Sequence, residues 1–228
     1  VDSEYWGYLR KVVNFVIAHW NEPDEGIWET RVGRQHFVFS KVMCWVAMDR
    51  AIRAATDLGL PGDIGHWKDV REQIHAEILE KGYSQEKQAF VQSYGSKNLD
   101  ASSLMMPLVG FLPATDVKME STIRAIQAEL TSPKGFVYRY KDYDDGLDGT
   151  EGSFIICTFW LADNLIQLGE IDAARKVFDS AMTCANDLGL LSEEFDTETG
   201  EMLGNFPQAF SHLAMINTAV HLQEAADG

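Results

Sequence analysis

The connections between the helices of this chain constrain its fold more than the helices themselves. Apolar residues recur at spacings of three and four along eight stretches, the periodicity that buries one face of a helix. The first, about 2–20, carries Trp6, Leu9, Val13 and Val16; the second, about 34–58, carries Val38, Val42, Trp45 and Ile52 and stops at Gly59 with Pro61 beyond. Glycine followed by proline ends a helix. Asp63 is placed to cap a third helix through Trp67, Val70, Ile74 and Ile78 to Gly82, and Asp100 a short fourth through Leu104, Leu108 and Phe111, interrupted by Pro107. A fifth runs through Met119, Ile123, Ile126 and Leu130. The sixth, about 152–168, reads "FIICTFWLADNLI" and is apolar on nearly every side, which predicts a helix enclosed on all faces. A seventh, about 171–188, passes Val177, Phe178, Ala181 and Ala185 to Gly189; the eighth starts at Asn205 with Pro207 in its first turn and passes Phe210, Leu213 and Val220. Strand-like runs are confined to short pieces such as "GFVYRY" and "AFVQSY".

Between these helices the connections alternate in length. Those at about 21–33, 83–99, 132–151 and 190–204 are long; those at about 59–63, 112–115 and 169–170 are short. Consecutive antiparallel helices put every second connection at the same end, so the four long loops share one face. An all-α toroid or solenoid builds its functional rim this way, and loops of such length in a compact domain usually carry function.

Two of the long loops are acidic. "NEPDEGIWETR" (Asn21 to Arg31) and "LLSEEFDTETGEMLGN" (Leu190 to Asn205) each combine several carboxylates with a glycine turn. Glycoside hydrolysis needs such a pairing, one carboxyl donating a proton to the leaving oxygen and another activating water. In the first loop Glu29 is the best acid candidate, because Trp28 and the aromatic run His36 to Phe39 would desolvate it and favour its protonated form. Asp24, Glu22 and Glu25 read as solvated loop charges. In the last loop the rim argument leaves Glu193 and Glu194 open as the base.

Other chemistries find less support. A net charge of −16 argues against nucleic acid or an anionic membrane as a partner, since both are bound through clustered Lys and Arg; a neutral ligand fits better. Asp142, Asp144, Asp145 and Asp148 alternate like the ligands of a calcium loop, without the glycine and glutamate that complete an EF-hand. The six histidines form no HExxH or other tight pair, so no metal and no cofactor is expected. Cys44, Cys157 and Cys184 are widely spaced in apolar surroundings and read as buried free thiols. With no run of about 18 apolar residues and no basic-then-apolar start, the expected location is the reducing cytoplasm. A different architecture competes at one point: "WLADNLIQLGEIDAARKVF" (Trp160 to Phe178) reads like a tetratricopeptide helix pair, which would make the chain a non-catalytic scaffold, although no second copy follows at that period.

In combination, "EPDEGIWE" with "RQHFVFSKVMCWVAMDRA", "GLDGTEGSFIICTFWL", and "LSEEFD" with "GNFPQAFSHLAMINTA" resemble the glucoamylase-type glycoside hydrolases of family 15, which include bacterial trehalases. The likeness covers nearly the whole chain. It implies an (α/α)6 toroid and inverting hydrolysis of α-linked glucosides, glucoamylase-like with release of β-glucose or, alternatively, trehalase-like, on a neutral oligosaccharide or disaccharide. The resemblance places the general acid at Glu29 and the general base at Glu193, with substrate contacts at Trp28, Arg31, Arg139 and Glu151. Thr30 stands where fungal members carry a second acidic residue. Eight helices against the twelve of a full toroid imply that residues 1–228 are one portion of a single catalytic barrel, lacking an N-terminal domain and early barrel helices and inactive alone. The barrel edges, around Trp6, Leu9, Val13 and Val16 at one end and Leu213 and Val220 at the other, are then expected to be uncovered, and either to drive self-association or to close against one another into a smaller ring.

Overall fold

A computed structural model of the chain describes residues 2–28, 30–31, 33–141 and 152–227. Helices dominate: α1 (Ser3–His19), α2 (Val38–Asp57), α3 (Ile64–Lys81), α4 (Met105–Leu108), α5 (Val117–Glu129), α6 (Ile155–Gln167), α7 (Ile171–Met182) and α8 (Ala209–Asp227). Three of them start at acidic caps. Asp2 accepts from the Tyr5 amide at 2.8 Å, Asp63 from His66 at 3.2 Å and Asp116 from Lys118 at 2.9 Å, each satisfying a first-turn amide that has no partner inside its helix. The fourth helix is a single α-turn preceded by a 3-10 turn, Ala101–Leu104. Pro107 explains this: with no N–H it cannot bond back to the Ser103 carbonyl, so an α-helical register cannot extend through that point.

The short turns are tight and closed by glycine. Gly169 has φ +79°; its amide bonds to Ile166 O and the Glu170 amide to Leu165 O, both at 2.9 Å. Those two bonds form a Schellman motif, and only a residue that tolerates positive φ closes it without strain. Gly59, at φ +63°, ends α2 likewise, with Leu60 N bonded to Ala55 O at 3.0 Å. The turns fold α2 against α3 and α6 against α7.

Helix α6 is the hub, packed against α4, α5, α7, α8 and the 3-10 turn. Ile155 and every residue from Cys157 to Leu165 are buried, as the periodicity predicted. Asn164 Nδ2 donates to Leu104 O and Trp160 O, both at 2.8 Å, while its Oδ1 is buried with no hydrogen-bond partner among the described residues. One large core joins α2, α3, α5 and α6 through residues such as Met48, Ile74, Ile78, Ile123 and Leu165, and a smaller one gathers Phe136, Phe159, Ala181, Leu191 and Ala214. Cys157 and Cys184 are buried and Cys44 half-buried, all as free thiols. Among the described residues no helix is long and apolar enough to cross a membrane.

Several expectations are corrected. The Trp6 face of α1 is not an open edge. Trp6 and Val13 are buried, the Trp6 indole donates to Pro61 O at 2.9 Å and stands edge-on to Trp67. The exposed apolar face of α1 is instead Tyr5, Tyr8, Val12 and Phe15, while on α8 Leu213 and Val220 are exposed as expected, together with Ile216. Helix α7 ends at Met182 and α8 begins only at Ala209, because the intervening backbone bonds elsewhere: Glu193 N to Asn205 O at 3.0 Å and Gln208 N to Leu191 O at 2.9 Å. "AFVQSY" contributes strand β2 (Ala89–Phe90), paired with β1 (Tyr83–Ser84), whereas "GFVYRY" supplies only the bridge of Thr131 to Val137. A three-stranded antiparallel sheet, β3 (Ser153–Phe154), β4 (Glu194–Phe195) and β5 (Met202–Leu203), was not visible in the sequence. It joins the third long loop to the fourth.

The core argument has a direct consequence. Ile123 is fully enclosed, so Ile123→Ala removes buried methylenes and leaves a cavity; the expected loss is about 2–5 kcal/mol in denaturant unfolding, with the slope against denaturant unchanged.

Candidate active site

The first long loop is tied down in part by Asp24, one of the residues that read as solvated charges; Glu22 and Glu25 are exposed, as expected. Asp24 and Gln35 exchange both backbone hydrogen bonds at 2.9 Å, and the Asp24 carboxylate accepts from the Gly26 amide at 2.7 Å and Ser40 Oγ at 2.6 Å. Asp24 is thus an organiser of the loop and not a solvated charge. Lys41 is buried, and its ammonium donates to Trp20 O at 2.7 Å and to Glu22 O; burial pushes its pKa below the ordinary lysine value. Glu22 pairs with His19 and Glu25 with Arg34. A cavity of about 390 Å3 opens beside these groups, between α1 and the loop.

Trp28, at the loop's apex, points inward. Its indole Nε1–H reaches both oxygens of Asp100 at 3.0 Å. Asp100 lies at the end of the second long loop, is buried, and also accepts from the Ser102 amide at 2.7 Å. Burial pushes the Asp100 carboxyl above its usual range, and the hydrogen bonds from Ser102 and Trp28 oppose that shift. This residue was legible in the sequence only as a helix cap; its second bond, to an indole 72 residues away, depends on the tertiary fold.

Arg139, from the third long loop, lies over the Trp28, Tyr140 and Phe154 rings with its guanidinium 5.7, 5.2 and 5.0 Å from their centroids. It pairs with Glu194 at 3.2 Å, both side chains being largely buried. Such a cation is held by aromatic faces as well as by charge. Phe154 meets Trp28 edge-on at 5.3 Å and stacks on Phe210 at 5.7 Å.

Glu193 comes from the fourth long loop. It lines a cavity of about 360 Å3 together with Trp28, Arg139, Phe154 and Trp160. Its Oε2 accepts from the backbone and side-chain amides of Asn205, each at 2.9 Å. The structure therefore brings three of the sequence-predicted residues, Trp28, Arg139 and Glu193, to one aromatic cavity, and all four long connections contribute to it or support it. Arg31 is exposed and outside the cavity lining. Thr30 is buried. Glu29 and Glu151 lie outside the described residues, as do Asp142, Asp144, Asp145 and Asp148 of the suspected cation loop. Among the described residues no cluster of three or more His, Cys, Asp or Glu is arranged to hold a metal.

The arrangement can bind a neutral polyol. Aromatic walls suit the apolar faces of a sugar ring, the Arg139 guanidinium offers donors to hydroxyls, and a carboxylate stands ready to accept a proton. The model of "Glycosyl hydrolases family 15" matches residues 1–220. A trehalase of Thermoplasma volcanium is 45% identical over 225 residues, covering 99% of this chain and 36% of that protein. A trehalase of Mycobacterium tuberculosis is 44% identical over 229 residues, covering 100% and 33%. This chain thus spans about a third of the length of these relatives. Among solved structures, a glycosidase in complex with glucose superposes with a TM-score of 0.80 at 19% identity, over 92% of this chain and 58% of that one. Glucoamylase from Saccharomycopsis fibuligera superposes with a TM-score of 0.75 at 12% identity, over 94% and 60%. At these identities the structures bear on the fold, which is an incomplete α/α barrel.

Asp100 gives the site's own test. Asp100→Ala leaves the half-buried Trp28 indole N–H and the buried Ser102 amide without their acceptor; the expected cost is about 1–3 kcal/mol of stability. Asp100→Asn keeps one acceptor oxygen and should recover part of it. Denaturant unfolding of the two variants side by side measures the difference.

Proposed function

This chain belongs to glycosyl hydrolase family 15, and on that basis we propose that it is a portion of the catalytic barrel of a hydrolase that cleaves α-linked glucosides by inversion. The observation that carries this is the meeting of Trp28 and Glu193 in one cavity, since Trp28 directly precedes Glu29 in the chain. Glu29 acts as general acid and gives its proton to the glycosidic oxygen as the bond to the anomeric carbon breaks. Glu193 acts as general base and takes a proton from the water that attacks that carbon from the opposite face. Positive charge develops on the ring in between. The Trp28 and Phe154 faces and the Glu193 carboxylate favour that charge, and Arg139 is kept from opposing it by its pairing with Glu194.

Trehalose is the proposed substrate. The relatives that cover almost all of this chain at 44–45% identity carry the name trehalase, which puts the trehalase-like reading ahead of the glucoamylase-like one. The activity is that of the whole protein, with residues 1–228 supplying the Glu29 and Glu193 portion of one barrel. The free thiols suit a reducing compartment such as the cytoplasm.

The stereochemistry tests the mechanism. Inverting cleavage of an α,α-1,1 linkage releases one glucose as the β anomer, from water attack, and the other as α, from the leaving group; retention would release α-glucose alone. Proton NMR within the first minutes should therefore show equal amounts of both anomers. In the full-length protein, Glu29→Gln and Glu193→Gln should each lower kcat by about 10²–10⁴-fold with little change in thermal unfolding. Full-rate turnover by either variant refutes its assignment. Faster release of glucose from maltooligosaccharides than from trehalose would restore the glucoamylase-like reading.

A further inference from the structure

We infer that Asn205 is a positioning residue for Glu193, fixing which oxygen of the proposed base meets water; this rests on the reading of Glu193 as that base. Two residues, Glu193 and Asn205, are joined by three hydrogen bonds. The Glu193 amide donates to Asn205 O at 3.0 Å, while the Asn205 amide and Nδ2 both donate to Glu193 Oε2 at 2.9 Å. From the other side the Ile155 amide holds the Glu193 carbonyl at 3.1 Å, at the first turn of the enclosed helix α6. The main chain of the glutamate is thereby anchored to the hub, and its carboxylate to the turn after β5.

The turn is fitted to the carboxylate. Gly204 has φ +71°, and a Cβ there would stand 2.7 Å from Glu193 Oε2 and 3.0 Å from Glu193 Cβ, closer than such atoms come. Backbone therefore approaches the glutamate directly, and the next residue can present two donors to one oxygen. A carboxylate oxygen has two lone-pair positions. Both of those on Oε2 are taken, which leaves Oε1 with the capacity to accept the proton of the attacking water.

β4 explains why the neighbouring carboxylate is not equivalent. Glu194 sits opposite Phe154 on one side and Leu203 on the other and pairs with Arg139. Asn205 is exposed and belongs to neither core cluster. A solvent-facing residue that directs its backbone and side-chain amides to one oxygen of a cavity-lining carboxylate acts on that carboxylate's geometry more than on the fold.

The test uses the full-length protein and two variants. Asn205→Ala removes the side-chain donor; Asn205→Asp keeps the size but sets a carboxylate against a carboxylate. Misplacing a reacting group by about 1 Å costs about 10²-fold. Asn205→Ala should thus lower kcat for trehalose by about 10- to 100-fold with KM nearly constant, and Asn205→Asp by at least as much, with thermal unfolding unchanged. Added to Glu193→Gln, Asn205→Ala should cause no further loss, measured on α-glucosyl fluoride, whose good leaving group keeps the residual rate visible. A kcat near that of the unmodified protein, an equal loss in the Glu193→Gln background, or losses that follow a falling unfolding temperature would each overturn the proposal. Wild-type turnover by Glu193→Gln alone would instead overturn the assignment of the base.

Discussion

The tight glycine turns at one end of the helices set the rest of this structure. A Schellman closure at Gly169 allows α6 and α7 to reverse direction within 168–170, and the turn after α2 does the same at Gly59. With the short turns at one end, the four long connections cross the opposite end. The long loops meet there because the helices leave them nowhere else to go. Helix α6 enforces the arrangement from within: its all-round burial holds the loop before it and the loop after α7 against one another, and the sheet of β3, β4 and β5 is the hydrogen-bonded record of that proximity.

Three carboxylates gathered by these loops occupy three different environments, and the differences divide their roles. Asp100 is buried, and its acceptors are spent on an indole and a backbone amide, so it orients Trp28 and reacts with nothing. Glu194 is matched to a guanidinium that also lies over aromatic rings; neutralised there, it lets a cation sit at a sugar-sized cavity without repelling a developing positive charge. Glu193 borders the cavity, and among the described residues its carboxylate is held by the two amides of Asn205. Neutral donors orient a carboxylate without cancelling its charge, which suits the proton-accepting role proposed for it.

How much of this was legible beforehand depended on the range of the interaction concerned. The apolar periodicity of α6 and the caps at Asp63 and Asp100 are written locally, within a turn or two, and were readable. The alternation of connection lengths, also local, foretold that Trp28 and Glu193 would share an end. What could not be read were bonds between distant segments. Trp6 looked like an edge residue because its partners, Pro61 O and Trp67, come from the far side of α2. Asp24 looked solvated because Ser40, in the first turn of α2, reaches it only once the loop has doubled back to pair Asp24 with Gln35. Pro207 in a first turn suggested a helix start at Asn205, yet that backbone is taken up by Glu193 and Leu191, and a competing long-range pairing moved the start to Ala209.

That displaced helix start connects the fold to the chemistry. Had α8 begun at Asn205, the amide of Asn205 would have been a first-turn donor aimed along the helix, and its carbonyl would have been committed to the helix interior. Delaying the helix to Ala209 frees both groups to face Glu193. The delay is stabilised by the Gln208 amide on Leu191 O and by Ser211 Oγ on Ser192 O at 2.8 Å, contacts on the residues just before Glu193. The segment 191–193 is therefore gripped by the approach to α8 along its whole length, and the cost of a shorter helix is offset by a glutamate whose backbone and one oxygen have no freedom left. In this loop the departure from regular structure positions the group proposed to do the chemistry.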